Sequence, residues 1–398
     1  MWECADAGCR FTCTKNITMH SFFGVSQLVL LQWIVRHELI DTDCAVKDCD
    51  GTVRVISTIH WSSTGSQQVS LQCKLCHTVE KGGCRSFFSY GKLGLTKMVM
   101  LTFGIVVGIP YKMLSHFGLH VNKNTNTRYV KDIALVIGEE LERDRRNPNK
   151  KFLNSEADEV AFGSRKYYRG RRVRKHTGVQ WGLTIVSVCP VTNSPLQMDL
   201  QMLKYNTRSA EVITPLIVQR CSPGGTLTTD CWKAYPAAAK AAGVVHKTVN
   251  HSVEFVNRET GECTNRVEGL HGVLKKDSRS QFDRLPYLTQ YGETYYLDLL
   301  VFRCNCRLQK QHIFMQFADA LWKWTHFPLS DYDRYTPVRR EEDEEEVVEE
   351  VEEVEDENVD IMVEEVLEDE GSMEEYDPGI EVSGTEFYMM TRSRSRRM

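Results

Sequence analysis

No run of apolar residues in this 398-residue chain is long enough to cross a bilayer. The best, Leu101 to Ile109 with its flanks, is interrupted by Thr102 and glycines and closed by Pro110. A second apolar stretch, Val25 to Val35, lacks the charged lead and small-residue cleavage site of a secretion signal. The chain has no GxxxxGK[ST] loop, no GxGxxG after a strand and no GxSxG elbow. His37 and Glu38 open an HExxH pattern that Asp41 fails to complete. These absences set aside P-loop nucleotide hydrolysis, dinucleotide chemistry, serine-hydrolase elbows and zincin-type proteolysis. The 14 cysteines lack the regular spacing of a secreted disulfide scaffold, so a reducing, intracellular compartment is expected.

What is present is a length suited to two or three structured units, with 41% hydrophobic and 26% charged residues, as in soluble globular material. The net charge of −5 conceals a split. Residues 341–398 hold 24 of the 54 acidic residues and only four arginines, which leaves 45 basic against 30 acidic residues in 1–340. The body is thus +15 and the tail −20. A body of that sign suits a polyanion such as nucleic acid, where phosphate neutralisation drives affinity.

Five segments are expected. Residues 1–40 carry a cysteine-bearing lead-in and an apolar helix, Ser26 to Arg36; Cys4, Cys9, Cys13 and His20 could ligate a metal there, against a reading as a plain disordered end. Residues 41–90 alternate turns with strand-like VRVIST and QVSLQC stretches. Cys44 and Cys49 open the segment, and Cys73 and Cys76 lie near its end. Two cysteine pairs on β-hairpins supply four thiolates for a tetrahedral, structural Zn²⁺, the layout of a zinc ribbon too small to fold without metal. Four ordinary buried cysteines are the alternative, and Cys84 is a spare thiol. Residues 91–147 turn helical at Leu95–Val107, after Pro110 and at Arg128–Arg143. They read equally as a helix-turn-helix or as a helical spacer.

Residues 150–330 read as three strands (EADEVAF, VQWGLTIVSVC, LQMDLQML), a helix Ala210–Arg220, a strand GTLTTD, a helix Trp232–Ala242, a strand VVHKTV and then long helices. Three antiparallel strands followed by alternating α and β is the order of a ribonuclease-H-like α/β fold. Residues 331–398 are expected to be disordered, because 22 acidic side chains in the 37 positions 341–377 cannot bury enough apolar surface to fold; the end, TRSRSRRM, is basic.

The acidic residues are the candidates for chemistry. Asp158 lies mid-strand in the phase of Val160 and Phe162, where a half-buried carboxylate needs a partner or a metal. Asp230 ends a strand in TTDCWKAY, at the carboxyl edge where open α/β sheets bind ligands. Asn265, Glu268, Gly272 and Lys275 share one face of the helix in TNRVEGLHGVLKK. Asp158, Asp230 and Glu268 can converge on two Mg²⁺ or Mn²⁺ ions about 3.5–4 Å apart for phosphodiester displacement, with Lys275 toward DNA phosphates. Each acid also has a plain structural reading: Asp230 as an N-cap, Asn265 with Glu268 as a capping box, Asp158 paired with an Arg. Arg165, Lys166, Arg169, Arg171, Arg172, Arg174 and Lys175, with Tyr167 and Tyr168 among them, crowd the turn between the first two strands. They are expected to meet a DNA backbone unless they merely solubilise the turn.

These blocks together resemble the transposases of the Merlin superfamily and their bacterial insertion-sequence relatives. The resemblance rests on the four cysteines followed by SFF (Ser86 to Phe88), on DEVAFGSRKYYRGRR, on TDCWKAY, on NHSVEFVNRETGECTNRVEGLHGVLKK, and on their order. It covers residues 25–325. It implies a D-D-E catalytic core falling on Asp158, Asp230 and Glu268, an accompanying Lys275, and auxiliary positions at Asn265 and His251. It also implies metal-dependent cleavage of DNA at terminal inverted repeats, strand transfer into target DNA and at least a dimer, with no membrane or small-molecule substrate involved. The cysteine-bearing lead-in and the acidic tail depart from that pattern. The tail and its Arg-Ser end point to a nuclear protein if the source is eukaryotic, and to a cytoplasmic one otherwise. Two other readings are a catalytically silent, domesticated DNA-binding protein and a nuclease of the same fold acting on RNA or hybrids.

Overall fold

The computed structural model describes residues 9, 11–59, 67–81, 87–88, 94–162, 180–249, 263–281 and 295–329. Cys4, Cys84, Ser86, the cationic turn that includes Arg165, Lys166, Arg169, Arg171 and Arg172, His251 and the acidic tail lie outside them.

The chain enters through two 3-10 turns, Thr12–Thr14 and Met19–Phe22, which bury Phe11, Ile17, Met19 and Phe22. Phe22 meets Phe103 edge-on with ring centroids 5.4 Å apart. Helix α1 (Gln27–Arg36) starts where Ser26 accepts a hydrogen bond from the Val29 amide at 3.3 Å. That bond satisfies one of the amides a helix start leaves open. Next come β1 (Val53–Ile59), β2 (Gln67–Cys73) and β3 (Val79–Lys81), an antiparallel three-stranded sheet with Val53 opposite Cys73.

Helix α2 (Leu95–Val107) spans the residues expected from its apolar run and is buried on nearly every side, packing against α1 and the helices described below. Gly108 ends it at φ +96°, a left-handed conformation that favours glycine. Helix α3 (Tyr111–Leu114) is a single turn, and α4 (Lys123–Arg146) is longer at both ends than its apolar stripe indicated. Asn122 caps α4 by accepting from the Asn124 amide at 2.8 Å.

The second sheet contains β4 (Phe152–Phe162), β5 (Gln180–Val188), β6 (Pro195–Met202), β7 (Cys221–Asp230) and β8 (Val245–Val249) in the order β6-β5-β4-β7-β8. The first three pair antiparallel; β7 joins β4, and β8 joins β7, in parallel. Between them run α5 (Ala210–Arg220) and α6 (Tyr235–Ala242), followed by α7 (Asn265–Gln281), α8 (Tyr295–Leu308) and α9 (Ile313–His326). Alternate residues of the strands go to opposite faces. Ala157, Leu183 and Ile185 pack with α5 and α6. Val160, Phe162, Val186, Met198 and Leu200 join the core of α2, α4, α7, α8 and α9. Helices thus cover both faces, a mixed α/β arrangement consistent with a ribonuclease-H-like domain. This second core runs without a break from Phe11 to Leu321.

At the far end of α4 an ion network is sealed from solvent. Arg145 holds Asp199 on β6 with Nε and Nη2 at 2.9 and 2.8 Å, and Arg220 of α5 adds Nε at 3.5 Å. Arg220 also donates to the Asp144 carbonyl at 3.1 Å. Burial alone would push the Asp199 carboxyl up, but the two guanidiniums hold it below its ordinary range.

Candidate active site

The parallel pairing of β4 with β7 sets Glu156 opposite Thr228. Two residues further along each strand, Asp158 in the middle of β4 comes level with Asp230 at the carboxyl end of β7. Carboxylate oxygens of Asp158, Glu159 and Asp230 lie within 4.8 Å of one another. Asp158 Oδ1 accepts from the Glu159 amide at 2.8 Å, and Asp230 Oδ1 accepts from the Trp232 amide at 2.9 Å. The latter bond folds residues 231–234 into a turn. Helix α6 accordingly starts at Tyr235 rather than at Trp232 as expected, and Asp230 caps that turn instead of the helix.

Glu159 was not anticipated as part of this group. Its buried carboxyl is pushed up to about 7 by burial, then by Asp158 and Asp230. Arg208 Nη1 stands 3.9 Å away, its guanidinium 4.2 Å from the ring centroids of both Trp181 and Trp232. Trp232 Nε1 also donates to the Arg208 carbonyl at 3.0 Å, so the arginine is clamped. Glu159 Oε1 is buried without a hydrogen-bond partner. Three crowded carboxylates, one with an orphaned oxygen, are a donor set that fits hard divalent cations.

Helix α7 is pinned to the sheet at two points. Glu156 meets Arg266 Nε at 2.6 Å and the Val267 amide at 3.2 Å. One turn on, His271 Nε2 sits 2.9 Å from Thr184 Oγ1, and its Nδ1 3.8 Å from Asp158 Oδ2. Burial, then Lys275, holds the imidazole down at about 4, so near neutral pH the contact with Asp158 is not an ion pair. Asp158 therefore faces a histidine on this side. Glu268 lies between the two pins, exposed, with the Thr264 hydroxyl donating to its Oε1 at 3.4 Å. It is not among the oxygens grouped within 4.8 Å. Asn265 is the first residue of α7, so it sits inside the helix rather than capping it, and Lys275 is half-buried.

The four predicted cysteine ligands do come together: the sulfurs of Cys44, Cys49, Cys73 and Cys76 lie within 4.8 Å of one another. Cys44 and Cys76 are 3.5 Å apart, and Cys49 and Cys73 3.8 Å. Amides of Val46, Leu75 and Cys76 donate to sulfur at 3.3–3.4 Å. The Thr78 hydroxyl and amide hold the Cys76 thiol down at about 6. Gly51 permits the close turn, since a Cβ there would lie 2.4 Å from Cys73 Sγ. In the lead-in, by contrast, Cys9 and Cys13 gather with His37 rather than with His20, which is exposed beside Phe23.

Residues 156–305 match the family model of the ISXO2-like transposase domain. The match begins in β4 beside Asp158 and ends in α8, under half of the chain. It supports an insertion-sequence type of D-D-E transposase family and not the Merlin superfamily in particular. No curated protein matches the chain. A transposase domain implies DNA as the partner and a DNA-cleaving enzyme as the class. Among the described residues no helix is long and apolar enough to cross a membrane. Sequence reasoning missed Glu159, His271 and the Glu156–Arg266 pair. The one signal for Glu159 was an acid at a strand position that must be buried.

Proposed function

We propose that the chain is a cut-and-paste DNA transposase in which Asp158, Asp230 and Glu268 hold two Mg²⁺ or Mn²⁺ ions. The observation that carries this reading is the convergence of the Asp158 and Asp230 carboxylates on adjacent parallel strands, inside the region that matches a transposase domain. When bound, such ions activate an attacking oxygen and neutralise the leaving one in phosphodiester displacement. The chain's own residues do the positioning. Glu156 on β4 and Thr184 on β5 fix α7, which carries Glu268, against the sheet, while the Trp-clamped Arg208 offsets part of the negative charge at Glu159. Asn265 and His251 are auxiliary positions, and Lys275 with Arg165, Lys166, Arg169, Arg171 and Arg172 contacts DNA phosphates.

The cysteine quartet holds a structural Zn²⁺ in a ribbon that helps bind the terminal inverted repeats. Pairing two repeat ends calls for at least a dimer, and the acidic tail with its Arg-Ser end fits a nuclear protein. The test is divalent-metal-dependent nicking of DNA carrying the repeats that flank the gene. Asp158→Asn and Asp230→Asn should each lower cleavage at least about a hundredfold and spare DNA binding. Cleavage by either variant at the wild-type rate overturns the assignment; tight, salt-sensitive binding with no cleavage by wild type favours a domesticated DNA-binding protein.

A further inference from the structure

A second cluster of soft ligands lies apart from both sites described so far. Cys9, Cys13 and His37 each offer an atom within 4.8 Å of the other two. Cys13 Sγ stands 3.5 Å from His37 Nε2. Two ligands of one tetrahedral zinc, with Zn–S near 2.3 Å and Zn–N near 2.05 Å, lie about 3.6 Å apart, so this spacing is that of co-ligands. Both sulfurs carry the N–H···S contacts found in the cysteine quartet. The Cys13 amide donates to Cys9 Sγ at 3.2 Å, the Thr12 hydroxyl does so at 3.4 Å, and Trp33 Nε1 donates to Cys13 Sγ at 3.2 Å. Donors aimed at sulfur stabilise thiolate charge and orient the ligand, the usual role of the shell around a metal.

The surroundings are partly apolar. Phe11 and Trp33 stand against the His37 ring with centroids 5.1 and 5.2 Å away, Cys9 and Phe11 are buried, and Cys13 and His37 are half-buried. Thiolate and imidazole donors select zinc over the hard cations of the acidic site.

We propose that Cys9, Cys13 and His37 form a second structural zinc site. It fastens the lead-in to the end of α1, seven residues before the first cysteine of the quartet. Structural zinc takes four ligands, so a further donor completes the shell.

The test is zinc stoichiometry of the purified full chain by elemental analysis and native mass spectrometry. Wild type should carry two zinc ions, and Cys13→Ser and His37→Gln one each. His37→Cys, which restores a ligand, should carry two and so separates loss of a ligand from loss of fold. A Cys44→Ser/Cys49→Ser variant should retain one. A single zinc in wild type that is lost with Cys44→Ser/Cys49→Ser and kept in Cys13→Ser overturns the proposal. A single zinc with the reverse behaviour supports it and sinks the ribbon reading instead.

Discussion

In the sheet of β1 to β3 the buried apolar side chains among the described residues are Val53, Val69 and Leu71, with Cys73 beside them. The sheet of β4 to β8 buries residues on two faces, against two layers of helices and around a sealed ion network. The first sheet is antiparallel and local; the second draws together strands as distant as Ser155 and Leu227. Apolar burial stabilises by roughly 25 cal/mol per Å², so the larger sheet gains more from its own strands, while the smaller one lends Val53, Val69 and Leu71 to the core it shares with α1 and α2. Four sulfurs gather within 4.8 Å at the end of the small sheet where Cys73 closes β2. If they hold the proposed zinc, that end of the sheet depends on the metal, whereas the large sheet depends on how its few buried charges are matched.

The strongest way to break that contrast is to remove one sulfur. Structural zinc contributes on the order of 10 kcal/mol to folding in such small units. Cys49→Ser should therefore strip hydrogen-exchange protection from β2 while leaving β4 and β5 protected. Protection retained in β2 would mean that the small sheet is held by the rest of the fold, and equal loss in both sheets that the two open as one unit. Next in size is Asp199→Ala, which removes the carboxylate shared by the buried Arg145 and Arg220 and leaves Arg145 with Glu142 at 3.5 Å. It should lower stability to chemical denaturation by about 3–5 kcal/mol.

That carboxylate also sets a pH dependence. Its native value lies below the ordinary 3.8, so the unfolded chain takes up the proton first and the stabilisation is present above about 3.8. It is lost as pH falls through the lower native value, and the gap between wild type and Asp199→Asn should narrow over that acid range. The smallest effect is expected at Ser26→Ala, where the lost α1 cap should cost about 1 kcal/mol and leave both sheets untouched.

Local pattern carried much of the fold. The expected bounds of α2 and α5 coincide with Leu95–Val107 and Ala210–Arg220, because each is an apolar-periodic run with clear breaks. The strand order and the cysteine quartet were legible for the same reason: alternation and short ligand spacing are written within a few residues of one another. Partner choice across long separations was not. Asp199 finds Arg145 at 54 positions away, and Cys13 finds His37, 24 positions away, in preference to the nearer His20. Glu159 was hidden because its role depends on Asp230 arriving beside it from another strand.

Helix α8, where the family match ends, carries the buried Arg303, whose Nε and Nη2 donate to the carbonyls of Val106 and Ile105 at 2.7 and 2.6 Å. Burial draws this guanidinium down to about 9, and Gly108 leaves room for it, since a Cβ there would come within 3.3 Å of Nη1. The open carbonyls at the end of α2 are therefore answered by a residue nearly two hundred positions away. A fragment cut to residues 156–305 keeps the arginine and discards its acceptors, leaving a cation facing an absent helix. The stretch recognisable by kinship is narrower than the stretch that can fold, and a usable recombinant core has to begin well upstream of its first catalytic candidate.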